Sequence, residues 1–118
     1  ANTINIQFLE QLEQLIKERK NASPNESYTA KLLADGPKRI AKKLGEEAVE
    51  LALEAENGTK DRFLDEASDL MYHLIVLLTA KEFSLTDVAE RLKERHTHSK
   101  ASKAEVDDFQ RGEKQWGK

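Results

Sequence analysis

Three observations predict an all-α fold, an antiparallel bundle of four to five helices. Only five glycines and two prolines occur among the 118 residues, and 35% of the residues are charged, a composition typical of long amphipathic helices. Apolar residues recur at helical spacing, and no segment shows strand-like alternation. The length suits a single hydrophobic core. We therefore expect one helical domain over residues 1–97 and a C-terminal tail over residues 98–118, either flexible or forming a short docking helix over residues 103–111.

Two helices are predicted in the first third of the chain. Apolar residues at helical spacing predict an amphipathic helix over residues 4–20. Ser23, Pro24 and Glu26 have the pattern of an N-cap, a first-turn proline and a capping-box acid. They predict the start of a short second helix, which should end at Asp35-Gly36.

Three further helices follow, and each has a recognisable start: Pro37 in a first turn, Thr59 as a cap, and Ser84 opening a capping signature. We expect these helices to end near Glu56, Glu82 and His96. Because only a short break around Asn57-Gly58 separates the third helix from the fourth, the two should pack antiparallel as a hairpin.

Charge and composition exclude several classes of function. The net charge of −3 argues against a broad nucleic-acid-binding surface, which requires clustered positive charge. The absence of cysteine excludes a disulfide scaffold, a thiol nucleophile and a zinc site built on thiolates. The most apolar stretch, residues 70–80, is shorter than the about 20 residues that span a bilayer, and the N-terminus lacks a signal-peptide pattern. We therefore expect a cytoplasmic protein with neither a membrane nor a nucleic acid as partner.

Two pairs of acidic residues on the predicted hairpin give the strongest functional signal. Glu47 and Glu50 lie three apart on the third helix, and Glu66 and Asp69 repeat this spacing on the fourth, so each pair shares a helix face. The pairs border apolar sectors, which comprise Ile40, Leu44, Ala48, Leu51 and Ala55 in one helix and Phe63, Leu70, Leu74 and Leu77 in the other.

Four acids beside an apolar seam would repel one another in a partly desolvated cleft. A divalent cation would resolve this repulsion, and ligands that are all oxygen select a hard ion such as Mg²⁺ or Mn²⁺. The alternative is that the acids form an ordinary solvated helix surface.

The acidic residues also form a familiar signature. Glu46-Glu47-x-x-Glu50 followed by Glu66-x-x-Asp69 resembles the E-E-x-x-E…E-x-x-D signature of the all-α nucleoside triphosphate pyrophosphohydrolases, the MazG-type superfamily. Flanking stretches, at residues 27–32, 42–47, 69–78 and 84–88, resemble the phosphoribosyl-ATP pyrophosphohydrolase family more narrowly. The resemblance extends from about residue 6 to residue 95.

The resemblance implies a MazG-like fold, a reaction and a set of residue roles. The family hydrolyses phosphoribosyl-ATP to phosphoribosyl-AMP and pyrophosphate with Mg²⁺, the second step of histidine biosynthesis. Glu47, Glu50, Glu66 and Asp69 would then hold the metal, and Glu46 would be an additional ligand or would position the attacking water. We expect Glu46 or Glu50 to be the base. The family also occurs fused behind a cyclohydrolase domain, so the sequence is expected to be a stand-alone or an excised form.

Five cationic side chains are candidates for binding the substrate phosphates. Arg39 and Lys43 share the acid-bearing face of the third helix, and Arg62 shares that of the fourth. Lys42 lies nearby, and Lys31 belongs to the Ser-Tyr-Thr-Ala-Lys stretch. Each of them could equally be a solubilising charge or a member of a local ion pair.

Three further polar residues are candidates for the substrate site. Ser27 and Tyr28 could contact ribose or phosphate, although Ser27 could equally cap its helix. His73 lies one turn beyond Asp69 and is either a hydrogen-bonded core histidine or a group that supports the site or binds phosphate.

The apolar residues also predict an oligomer. Residues 70–78 are apolar on nearly every side of the fourth helix, and Val49 and Leu53 point away from the main seam of the third. We therefore expect a homodimer with a substantial apolar interface, or a higher oligomer. Two other functions remain open: a housekeeping nucleoside triphosphate pyrophosphohydrolase of the same superfamily, and a non-catalytic helical dimerisation module.

Overall fold

A computed structural model describes the backbone of residues 2–101 and the side chains of residues 6–97. These residues form five α-helices and no strand, which confirms the all-α prediction. The helices are α1 (Asn2–Glu18), α2 (Tyr28–Asp35), α3 (Pro37–Asn57), α4 (Lys60–Ala80) and α5 (Leu85–Ala101), with a 3₁₀ turn at Arg19–Asn21. Helices α1 to α4 form one compact unit that ends at Leu85, and a second unit begins at Thr86.

Helix α2 begins later than the sequence predicted. Ser23 and Glu26 bound a turn, closed by a 2.9 Å hydrogen bond from the Glu26 amide to the Ser23 carbonyl. The cap of α2 is Ser27, whose hydroxyl accepts a 3.0 Å hydrogen bond from the amide of Ala30. The Ser23 capping prediction was therefore wrong, because serine and proline favour turns as well as helix starts.

Gly36 separates α2 from α3, as the sequence predicted. Its φ of 100° lies in a region that glycine enters without steric cost. Its amide donates to the carbonyl of Leu32 (3.1 Å), and its own carbonyl accepts from the amide of Ile40 (3.2 Å). Pro37 then occupies the first turn of α3, where its missing N–H costs no hydrogen bond.

Helices α3 and α4 form the predicted antiparallel hairpin and contact each other more extensively than any other pair of helices described. Only Gly58 and Thr59 connect them, and Thr59 caps α4 by accepting a 3.2 Å hydrogen bond from the amide of Arg62. Helix α4 ends at Ala80 rather than near Glu82, which has a positive φ of 66°.

Five buried side chains form the core of the first unit. Its buried side chains come from all four helices: Ile16, Leu32, Ile40, Ile75 and Val76. The apolar face predicted for α4 is not its buried face. Phe63 is exposed, and Leu70, Leu74 and Leu77 are only half-buried. In α3, Ile40 is buried, but Ala48 and Ala55 are exposed.

Helix α5 continues past its predicted end near His96 and reaches Ala101. The remainder of the predicted tail, including the proposed docking helix over residues 103–111, lies outside the described residues. Among the helices that the structure describes, none is long and apolar enough to cross a membrane.

Candidate metal centre

The hairpin brings three carboxylates together. Glu47 projects from α3, and Glu66 and Asp69 project from α4; one oxygen of each lies within 4.8 Å of the others. Glu47 and Glu66 are half-buried and Asp69 is exposed, so the group can be reached from solvent. We call these three residues the acidic cluster.

Two oxygens of the acidic cluster are buried without a hydrogen-bond partner. The Oε1 atoms of Glu47 and Glu66 are both inaccessible to solvent and accept no hydrogen bond from the described residues. Burying a charged oxygen without a partner costs free energy, so a bound cation would stabilise these two atoms. Because the ligands are all carboxylate oxygens, the cluster fits a hard divalent ion such as Mg²⁺ or Mn²⁺.

The pKa of Glu66 also shows that its buried charge is not compensated. Burial, the neighbouring Glu47 carboxylate and the negative charge of Glu50 raise the pKa of Glu66 to about 7, from an ordinary value of 4.5. Without a cation, a proton on Glu66 therefore relieves part of the repulsion near neutral pH.

Glu46 and Glu50 lie outside the acidic cluster. Glu50 is exposed, but its negative charge raises the pKa of Glu66, so it lies beside the cluster. Glu46 is also exposed, and its Oε1 atom lies 3.7 Å from Nζ of Lys43. The structure thus groups three of the four predicted metal ligands and leaves the fourth, Glu50, adjacent.

Two of the predicted phosphate-binding cations share one acidic partner. Nζ of Lys31 lies 3.8 Å, and Nε of Arg39 3.2 Å, from the same oxygen of Asp35. Lys42 is exposed. Exposed ion pairs contribute little stability, so they leave these cations able to exchange partners.

Arg62 has an acidic partner that the sequence reasoning missed. Its Nε and Nη2 atoms donate to one carboxylate oxygen of Glu54, at 3.2 and 3.0 Å. The hydrogen bond and charge of Glu54 raise the pKa of Arg62, and Glu66 contributes through its charge. Glu54 lies two turns beyond Glu47 on α3, a spacing that could have identified it.

His73 is a buried histidine with both ring nitrogens engaged. Its side chain is only 5% exposed. Nδ1 lies 2.8 Å from the backbone oxygen of Asp69, and Nε2 lies 3.2 Å from the Tyr28 hydroxyl. Beside this pair, Thr29 and Tyr72 hydrogen-bond through their hydroxyl groups. Thr29 and Tyr72 were not singled out from the sequence, although both lie inside the stretches that carried the resemblance.

An all-helical fold with three converging carboxylates defines the class: a helical protein with a candidate divalent metal centre. The family model described as phosphoribosyl-ATP pyrophosphohydrolase matches residues 9–96. The chain therefore belongs to the phosphoribosyl-ATP pyrophosphohydrolase family, and the resemblance noted in the sequence is confirmed.

The similar proteins are longer than this chain. Over 89 residues, it is 57% identical to the histidine biosynthesis bifunctional protein HisIE of Vibrio cholerae and 58% identical to that of Escherichia coli K12. These alignments cover 75% of this chain but only 42% and 44% of the two relatives. The chain thus spans less than half the length of the curated relatives it matches.

Proposed function

We propose that this chain hydrolyses phosphoribosyl-ATP to phosphoribosyl-AMP and pyrophosphate, the second step of histidine biosynthesis. The convergence of Glu47, Glu66 and Asp69, with two buried oxygens lacking partners, is the observation that carries the proposal. The family match supports it, because residues 9–96 contain the whole acidic cluster.

The acidic cluster is proposed to hold Mg²⁺, for which Mn²⁺ can substitute. Glu47, Glu66 and Asp69 would be the ligands, and Glu50, which lies outside the cluster but beside Glu66, is the fourth predicted ligand. When bound, such an ion neutralises charge on phosphate oxygens and helps to orient water.

Glu50 is the better placed of the two candidate bases. It is exposed and close to Glu66, whereas Glu46 pairs with Lys43. In the proposed reaction, water adds across the phosphoanhydride bond between the α- and β-phosphates. The Glu50 carboxylate accepts a proton from this water and later releases it to solvent, while pyrophosphate leaves.

The cations near the hairpin are proposed to bind the substrate phosphates. Lys31, Arg39, Lys43 and Arg62 each have an acidic partner within 4 Å. All four are at least partly exposed, so exchanging a carboxylate for a phosphate costs little. Lys42 is exposed beside them. This exchange would offset the repulsion between the substrate and the acidic cluster.

The proposed enzyme acts as a homodimer, or as a higher oligomer built from dimers. Its support is a set of large apolar side chains left exposed on the hairpin. On α3, Val49 and Leu53 are 60% and 64% exposed, and on α4, Leu64 and Met71 are 51% and 40% exposed. Such exposed apolar surface is typical of a protein interface.

The test of the proposed function is a comparison of substrates. Phosphoribosyl-ATP and the four common nucleoside triphosphates are assayed separately with Mg²⁺, and pyrophosphate release is measured at steady state. We expect phosphoribosyl-ATP to have the highest kcat/KM. Preference for an ordinary triphosphate would support the housekeeping alternative, and no hydrolysis of any of them would support the non-catalytic module.

A further inference from the structure

Arg62 and Glu66 lie four residues apart on α4, a spacing at which an arginine and a glutamate commonly form an ion pair. Arg62 pairs with another acid instead. Its Nε and Nη2 atoms donate to Oε2 of Glu54 on α3, at 3.2 and 3.0 Å. The Oε1 atom of Glu66 is buried and accepts no hydrogen bond from the described residues. The hairpin thus holds a cation one helical turn from a buried carboxylate oxygen that it does not bind.

Glu54 determines where the guanidinium of Arg62 lies. The Glu54 side chain is only 17% exposed, whereas that of Arg62 is 66% exposed. The Oε1 atom of Glu54 occupies the space beside Gly58, where any Cβ atom would overlap it. Its Oε2 atom accepts both hydrogen bonds from Arg62. Because Glu54 is largely buried and Arg62 is not, the carboxylate fixes the guanidinium rather than the reverse.

The charge of Arg62 nevertheless lies within reach of Glu66. After Glu54, the negative charges of Glu66 and Asp65 also raise the pKa of Arg62. Side chains four residues apart are neighbours on the surface of a helix, and a guanidinium has five N–H donors on a long side chain. A guanidinium released from Glu54 can therefore donate to the unpartnered oxygen of Glu66.

An arginine paired with Glu66 would oppose the binding of a metal ion. The acidic cluster attracts a cation because its carboxylates repel one another. A guanidinium on Glu66 would relieve that repulsion, and an incoming ion would have to displace it. By holding Arg62, Glu54 keeps the Glu66 carboxylate unpaired. The guanidinium also remains exposed beside the cluster, where it can bind a substrate phosphate.

We infer that Glu54 is a positioning residue, which keeps the guanidinium of Arg62 away from Glu66 so that the acidic cluster can bind its metal ion. The inference rests on the proposed function, in which this cluster holds Mg²⁺ or Mn²⁺. Glu54 acts through Arg62 and is not itself a ligand of the ion.

A double-mutant cycle on Mn²⁺ affinity tests this inference. The four proteins are wild type, Glu54→Ala, Arg62→Gln and the variant with both substitutions. Binding is measured by electron paramagnetic resonance of Mn²⁺ in the absence of substrate. Asp65→Ala is the matched control and is combined with Arg62→Gln in the same way. Asp65 is exposed and acts on Arg62 through its charge, so this substitution deletes a neighbouring carboxylate without releasing the guanidinium.

We expect Glu54→Ala to weaken Mn²⁺ binding roughly three- to fivefold, the effect of one partly exposed ion pair. In that background, Arg62→Gln should restore the affinity, because no guanidinium remains to occupy Glu66. In wild type, Arg62→Gln should change the affinity less, since Glu54 already holds the guanidinium. In the Asp65→Ala background, Arg62→Gln should have the same effect as in wild type.

Two results would overturn the inference and leave the proposed function standing. One is additivity of Glu54→Ala and Arg62→Gln, because the two side chains would then act on the ion only through their charges. The other is unchanged Mn²⁺ affinity in Glu54→Ala. If wild type binds no Mn²⁺, the proposed metal centre fails and the inference fails with it. The hydrolysis of phosphoribosyl-ATP is tested separately by the comparison of substrates.

Thermal unfolding shows whether each variant folds. If Glu54→Ala does not fold, Glu54→Gln replaces it in the cycle, because glutamine preserves the volume and removes the charge that holds Arg62. The same lack of additivity is expected. A crystal structure of metal-free Glu54→Ala provides a second readout, in which the guanidinium should donate to a carboxylate oxygen of Glu66. A guanidinium directed into solvent would contradict the inference.

Discussion

Within the acidic cluster, Glu66 is the residue whose pKa burial and the neighbouring carboxylates raise. Its pKa of about 7 results first from burial, then from the Glu47 carboxylate and the charge of Glu50. Asp69 completes the acidic surroundings on α4, and the guanidinium of Arg62 is directed to Glu54 instead. The folded chain therefore holds a proton on Glu66 in a pH range where the unfolded chain has lost it.

The first prediction concerns stability and pH in the metal-free protein. A carboxyl with a raised pKa contributes stability that is complete below its unfolded pKa of 4.5 and is lost as pH rises through 7. Glu66→Gln should therefore unfold at a higher temperature than wild type at pH 8, and the difference should shrink towards pH 5. Thermal unfolding in a chelator measures this.

The same substitution at Glu56, an exposed acid at the end of α3, is the control. Glu56→Gln should show no such pH-dependent difference from wild type. If the difference in unfolding temperature between wild type and Glu66→Gln is constant from pH 5 to pH 8, the pKa of Glu66 is not raised in the folded chain.

The second prediction concerns the metal. Asp69→Asn should weaken Mn²⁺ binding at least about tenfold, because a neutral amide replaces one of the charges that attract the cation. Pyrophosphate release should fall with it, while the metal-free protein stays folded because repulsion is relieved. Binding is measured by electron paramagnetic resonance of Mn²⁺ in the absence of substrate.

Asp61→Asn, in the first turn of α4, provides the matched charge change outside the cluster. It should bind Mn²⁺ as wild type does. Unchanged Mn²⁺ affinity in Asp69→Asn would favour the non-catalytic helical module, in which these acids only repel one another.

At the scale of elements, the two glycines of the hairpin differ in what surrounds them. A Cβ atom on Gly58 would lie 2.8 Å from the backbone oxygen of Glu54 and would overlap its side chain. Gly45 lies within α3 and has no neighbouring atom within 4 Å of such a Cβ. The close approach at Gly58 permits the two-residue connection between α3 and α4.

The third prediction contrasts substitutions at these two glycines. Gly58→Ala should destabilise the chain by about 1–3 kcal/mol, because backbone must shift to admit the methyl group. Gly45→Ala should stabilise it by about 0.5–1 kcal/mol, because alanine has the higher helix propensity. Urea unfolding measures both. Equal effects of the two substitutions would show that Gly58 is not sterically restricted.

The elements also show which parts of the fold a sequence can specify. Gly36 and Thr59 were predictable because a helix end depends on its own few residues. The start of α2 depended on distant residues instead. Tyr28 hydrogen-bonds to His73 and Thr29 to Tyr72, both on α4, and these contacts accompany a start at Ser27 rather than Ser23.

The buried face of α4 was less predictable than its ends. Residues 70–78 are apolar on nearly every side, so helical periodicity alone could not select Ile75 and Val76 as the core. Packing against α1 and α2 makes that selection. The acidic cluster was largely predictable, since the i,i+3 spacing placed Glu66 and Asp69 on one face. The partner of Arg62 was missed, although the spacing of Glu54 from Glu47 could have identified it.

At the scale of the whole molecule, the distribution of exposed apolar residues requires an explanation. Within the first unit, α4 buries His73, Ile75, Val76 and Thr79, so much of its apolar surface is already covered. Two short stripes remain exposed on the hairpin. Val49 and Leu53 are four apart on α3, and Leu64 and Met71 are seven apart on α4, so each pair shares a helix face.

The fourth prediction is that these stripes mediate the proposed dimer. Leu53→Glu places a charge in an apolar contact, where desolvation opposes association, so it should shift the protein towards monomer in sedimentation at micromolar concentration. Ala41→Glu adds the same charge at an exposed position on the same helix and should leave the oligomer unchanged. If Leu53→Glu and wild type sediment identically, the dimer either does not form or uses another surface. Retained Mn²⁺ binding in the Leu53→Glu monomer would show that one chain assembles the acidic cluster by itself, as the convergence of Glu47, Glu66 and Asp69 within a single chain indicates.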